Sequence, residues 1–137
     1  MKVTLKRLNQ HVHFEGANAQ GNTISIDGSP TIGGEDKGMR PMELVLAAVG
    51  GCSGIDVVTM LKKMKQEVDD IQLVIEGERD EEKVPAVFKK INLHFLVKGN
   101  VNPEKVQRAI QLSVEKYCSV SKMLQSTVEI TASFELI

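Results

Sequence analysis

The chain has 137 residues, 42% of them hydrophobic and 26% charged, which suits one domain with a real core and excludes a disordered chain. Seventeen Lys and Arg against eighteen Asp and Glu leave a net charge of −1, and aromatic residues are only 4%, with no Trp. That balance excludes the basic footprint and the stacking platforms of a nucleic-acid binder.

In chain order, the first ten residues, MKVTLKRLNQ, alternate apolar and polar side chains and contain no apolar leader segment. A cytoplasmic, reducing location is expected, where a permanent structural disulfide is rare. Val3 and Leu5, then Val12 and Phe14, then Ile24 and Ile26 alternate with polar neighbours. They predict three short strands in an antiparallel meander with one covered face. Thr31–Arg40, with three glycines and mixed charge, predicts a mobile connection.

Pro41 suits the first turn of a helix that the pattern carries to Met64. Its Pro41–Leu61 stretch is long and apolar, yet Glu43 and Asp56 would be costly in lipid, so no membrane span is expected. A buried central helix is predicted, more apolar than one sheet covers, and hence packed on a second surface, most simply a partner subunit. Gly50 and Gly51 cost helix propensity and predict a close backbone approach or a local distortion.

Ile71, Leu73 and Ile75 predict a strand closed by Gly77. Phe88, Ile91, Leu93, Phe95 and Val97 predict its hairpin partner, ended by Gly99-Asn100. Asn102-Pro103-Glu104 is a helix start, with Asn as N-cap and Pro at the first position, for a helix to about Tyr117. Ser119–Leu124 reads as a short extra turn of helix, and Val128, Ile130, Ala132 and Phe134 as a last strand. The order βββ-α-ββ-α-β, with no repeat or linker, makes a single α+β domain over residues 1–137.

Two cysteines carry the candidate chemistry. Cys52 lies mid-helix in AAVGGCSGID and Cys118 ends the later helix in YCSVSK. Their separation excludes a C-x-x-C motif, and composition alone leaves each equally readable as a small buried hydrophobe or a reactive thiol. His11, His13 and His94 fall on predicted strands; His11 and His13 share a face, which is better read as a polar lining than as a metal site. Neither a serine-nucleophile elbow nor a phosphate loop is present. Asp56, one turn after Cys52, would raise the Cys52 pKa and reads as structural. Lys122 and Tyr117 flank Cys118.

PMELVLAAVGGCSGID, followed by Cys118, Val120, Ser121 and Leu124, resembles the OsmC/Ohr family of osmotically inducible and organic hydroperoxide resistance proteins, in its less characterised OsmC-like branch. The resemblance spans essentially the whole chain. It implies an intertwined homodimer whose central helices are buried between sheets of both chains. It implies a cofactor-free and metal-free peroxidase in oxidative stress defence, acting on organic hydroperoxides and also on hydrogen peroxide. Cys52 would be oxidised to a sulfenic acid, Cys118 would close a disulfide on it, and a thiol or dithiol reductant would reopen the pair. A non-catalytic redox-sensing or small-ligand-binding dimer is the alternative.

Glu43 matches the family's supporting carboxylate. Nine residues from Cys52, it would lie ~13 Å along a straight helix axis, so a direct contact needs a bend at Gly50-Gly51 or the partner chain's carboxylate. The Leu8–Gly16 stretch has no arginine where the hydroperoxide-resistance branch places one; Arg7 and Arg40 lie nearby.

Overall fold

The period-two patterns do become strands in the computed structural model, which describes residues 1–137. The chain forms two compact units, residues Met1–Val45 and Leu46–Ile137. In the first, β1 (Val3–Arg7), β2 (Phe14–Asn18) and β3 (Thr23–Ile26) pair antiparallel in that order. Leu5, Gly16 and Ile24 align across the three strands. The face expected to be covered is open in the chain, with Val3, Leu5 and Ile24 all exposed.

Two further expectations for this unit are corrected. His11 and His13 precede β2 rather than lying on it, because the Asn9 side chain accepts from both of their backbone N–H groups and turns the chain there. The glycine-rich connection is tied down around one buried carboxylate. Asp27 accepts from the N–H groups of Gly28, Glu35 and Lys37 at 2.8, 2.9 and 3.1 Å. Those bonds, first from Lys37 and Glu35, hold its pKa below the ordinary aspartate value. A short 3₁₀ turn, Pro30–Ile32, sits in this loop.

The central helix, α1 (Pro41–Lys63), begins at the end of the first unit and runs unbroken through Gly50 and Gly51 into the second. There it lies on a sheet of order β4-β5-β6: β4 (Glu67–Arg79), β5 (Phe88–Asn100) and β6 (Glu129–Leu136). β4 and β5 form the expected antiparallel pair, and β6 joins β5 in parallel. A parallel pair needs a crossover, and the segment from α2 (Pro103–Leu112) through α3 (Ser119–Leu124) supplies it.

The core of this unit joins Val49, Val57 and Leu61 of α1 to Ile91, Leu93, Phe95 and Val97 of β5 and Val106, Ala109 and Ile110 of α2, nearly all fully buried. Gly50 is small for a packing reason. A Cβ there would meet the Ile75 side chain at 2.5 Å, so a side chain rather than a backbone is what approaches α1. Gly77 does not close β4 but lies within it, because the Phe88 ring occupies the place of its Cβ.

α2 starts as expected, with Asn102 Oδ1 accepting from Glu104 and Lys105 and Pro103 at the first position. It does not run to Tyr117 as an α-helix. Residues Ser113–Tyr117 widen into a π-helical turn, closed by the Cys118 N–H on the Ser113 carbonyl at 2.8 Å. Such turns recur at functional sites. This one delivers Cys118, in extended conformation, as the N-cap of α3.

Candidate active site

Helical spacing sets the first part of the site. On α1, Cys52 and Asp56 are one turn apart and share a face, while Ser53 between them points into the core and is fully buried. The π turn and α3 bring Cys118 to the same place from far downstream. The Cys52 and Cys118 sulfurs and an Asp56 carboxylate oxygen all lie within 4.8 Å of one another. Both cysteines are free thiols; Cys118 is buried at 1% exposure and Cys52 is half-buried.

The polar surroundings are unequal. Cys118 Sγ accepts from the Ser121 N–H at 3.4 Å and lies 4.0 Å from the Val49 carbonyl oxygen. The buried Ser53 and Ser121 hydroxyls face this sulfur, and neither makes a well-formed hydrogen bond. A thiolate at Cys118 is the acceptor that both would serve. Burial pushes the Cys118 thiol up, but the Ser121 hydroxyl, the Ser53 hydroxyl, the Ser121 N–H and the Cys52 thiol overcome it, and its pKa falls below the ordinary value. Burial also pushes Cys52 up. The Val120 and Ser119 N–H groups oppose this, but the neighbouring Cys118 adds to it, and the net shift is upward. The donors thus favour charge on Cys118, while burial opposes it on Cys52.

Asp56 is held by the Ser113 hydroxyl, which donates to Oδ2 at 3.1 Å. It also lines an open cavity of about 480 Å³ with Thr59, Met60, Lys63, Leu112 and Tyr117. Sequence reasoning noticed Asp56 and set it aside as structural; its shared helix face with Cys52 was the signal that could have placed it here. Ser53 and Ser121 were not singled out, although each is within three residues of a candidate cysteine.

The other candidates have partners of their own. The Glu43 Oε2 accepts from the Arg40 N–H at 2.8 Å, one half of a capping box at the start of α1. The Arg40 guanidinium is bound to Asp36, with longer bonds to the Asp27 and Gly38 carbonyls. Arg79 binds the Ala86 carbonyl and Arg108 the Gln111 side chain. Tyr117 reaches the cavity wall, whereas Lys122 lies exposed in the last turn of α3. His13 Nε2 pairs with Ser25 Oγ at 2.7 Å and His94 Nδ1 with Ser133 Oγ at 2.8 Å, as polar lining residues do. Two sulfurs and one carboxylate are close enough for a single cation but number fewer than the four protein ligands of a closed zinc site.

A two-sheet α+β fold with a cysteine from its central helix set against one from the crossover defines a class, and sequence and structural relatives name it. The model of the family described as OsmC-like protein matches residues 34–133, and the chain belongs to that family. It is 47% identical over 125 residues to Protein YhfA of Escherichia coli, covering 90% of each chain. It is 35% identical to a hypothetical protein from Aquifex aeolicus of known structure, with a TM-score of 0.85, covering 99% of this chain and 95% of that one. An organic hydroperoxide resistance protein OsmC from Legionella pneumophila shares the fold at a TM-score of 0.73 and 18% identity, over 98% and 97% of the two chains.

Proposed function

We propose that this chain is a cytoplasmic thiol-dependent peroxidase that reduces organic hydroperoxides, and hydrogen peroxide less readily, in defence against oxidative stress. One observation carries the reading: two free thiols, distant in sequence, lie with their sulfurs within 4.8 Å. Cys52, the more exposed, attacks the peroxide. An S–O bond forms, the O–O bond breaks, and the leaving alkoxide takes up a proton to become the alcohol. Cys52 is then a sulfenic acid.

The Cys118 thiolate next attacks the Cys52 sulfur, the S–O bond breaks, and hydroxide leaves to become water. The sulfurs must close from within 4.8 Å to the ~2.05 Å of a disulfide. A thiol or dithiol reductant restores both thiols. The donors around Cys118 suit this resolving role, because they keep ready the thiolate that closes the bond. Glu43 enters as a supporting carboxylate that orients a cation or accepts from protonated peroxide. Its bond to the Arg40 N–H engages Oε2 and leaves Oε1 for that purpose.

The working unit in this reading is a homodimer. Val3, Leu5 and Ile24 on the meander and Ile55 and Val58 on α1 are exposed apolar side chains, and only a third of the most apolar part of α1 is buried in the chain. A second copy is the occupant the family resemblance implies, and it would also explain why so apolar a helix needs no membrane. The raised pKa of Cys52 favours one alternative, a redox-sensing dimer that reacts with peroxide without rapid turnover.

Peroxide consumption with a dithiol reductant decides between them. Wild type should turn over and Cys52→Ser should not. A single stoichiometric reaction followed by no turnover favours the sensor, and full activity in Cys52→Ser removes both readings.

A further inference from the structure

The accessible sulfur is Cys52, which meets only the Val120 and Ser119 N–H groups, while the Ser53 and Ser121 hydroxyls and the Ser121 N–H face the buried Cys118. A thiol is a poor nucleophile, so a group must take the Cys52 proton as its sulfur attacks. The cluster holds one carboxylate. Asp56 lies one helical turn from Cys52, with an oxygen within 4.8 Å of both sulfurs, a distance bridged directly by a small side-chain shift or by one water. The Ser113 hydroxyl fixes Oδ2 and leaves Oδ1 free. The carboxylate also opens onto the cavity walled by Met60, Leu112 and Tyr117, so it can exchange protons with solvent there.

Building on the peroxidase reading, we propose that Asp56 is the proton carrier of the reaction: it takes the Cys52 Sγ proton as that sulfur attacks and hands it to the departing alkoxide. The balance closes within the site. Two electrons pass from the Cys52 sulfur to the peroxide, the S–O bond forms as the O–O bond breaks, and the thiol proton ends on the alcohol. The carboxylate is left ionised, as it began. The titratable groups that face it are Cys52 on its own helix, Cys118 beyond the π turn, and Lys63 and Tyr117 across the cavity.

The test separates this carrier from its one rival in the cluster, the Cys118 thiolate acting as base. Sulfenic acid formation with cumene hydroperoxide is followed by dimedone trapping and mass spectrometry, across pH, in a Cys118→Ser background. Adding Asp56→Asn, which can still accept from Ser113, should slow trapping by about 10²-fold or more and flatten the acidic limb of the pH profile. Asp56→Glu should recover part of the rate. A rate unchanged by Asp56→Asn overturns the proposal. So does a faster rate, which would mean the carboxylate only opposes the thiolate. If Asp56→Asn fails to fold, Ser113→Ala, which frees the carboxylate without removing it, should shift the acidic limb; an unmoved profile overturns the proposal. Peroxide consumption that survives Cys52→Ser would instead defeat the underlying reading, and the two failures are distinguishable.

Discussion

Two buried polar centres in this chain are built in opposite ways. In the first unit, the Asp27 carboxylate is 1% exposed and its lone pairs meet three backbone N–H groups. In the second, Cys118 is equally buried, but the Ser53 and Ser121 hydroxyls beside it close no hydrogen bond. A fully satisfied buried charge organises a loop and has nothing left to react with. An under-satisfied cluster carries a desolvation cost that is relieved when charge appears on the sulfur. The contrast separates a structural centre from the proposed reactive one within a single chain.

Removing the proposed nucleophile gives the largest expected effect. Cys52→Ser should abolish peroxide turnover while leaving the melting temperature nearly unchanged, since a hydroxyl replaces a half-buried thiol. Asp27→Ala should do the reverse. It strands three N–H groups, so thermal unfolding should come markedly earlier while the thiols react as before; an unaltered melting curve would break the comparison. Asp27 also has a pH signature. Its folded pKa lies below its unfolded one, so its stabilisation is present above the unfolded value and is lost as pH falls through the folded value. Acid unfolding of Asp27→Asn should lack that component.

The serines sharpen the comparison from the other side. Deleting an unpartnered hydroxyl removes a desolvation cost, so Ser53→Ala and Ser121→Ala should cost less than about 1 kcal/mol or even stabilise. Their thiol titrations should nevertheless move up, because Cys118 loses donors, and disulfide closure should slow at neutral pH. A large loss of stability with an unmoved titration would mean that the hydroxyls serve packing alone. The smallest effect belongs to a purely local device: Asn102→Ala should cost ~1 kcal/mol in chemical denaturation with no effect on peroxide.

What could be read from the sequence follows the range of the interactions. The element order, the Asn102 cap and the buried alternation of β5 are set by neighbours along the chain, and all are found in the structure. The His11 and His13 positions were misplaced because one side chain, Asn9, turns the backbone against a period-two pattern. The Thr31–Arg40 loop reads as mobile in the sequence because its anchor, Asp27, lies outside it. Gly77 reads as a terminator in the sequence because the Phe88 ring that needs its space comes from the next strand. The site shows the same limit. Each cysteine was visible, but their meeting depends on a π turn that no local pattern signals. Asp56 is visible in the sequence as a helix-face neighbour of Cys52, but only its distance to both sulfurs motivates the role proposed for it.

The central claim is that Cys52 and Cys118 form one redox unit. Treating the reduced protein with a single equivalent of organic hydroperoxide and weighing the intact chain tests it most directly. The account predicts the loss of two hydrogen atoms per chain, the simultaneous disappearance of both free thiols, and a proteolytic fragment joining the Cys52 and Cys118 segments that a dithiol reverses. A chain that keeps both thiols, or one that gains oxygen at Cys52 while Cys118 stays free, would contradict it.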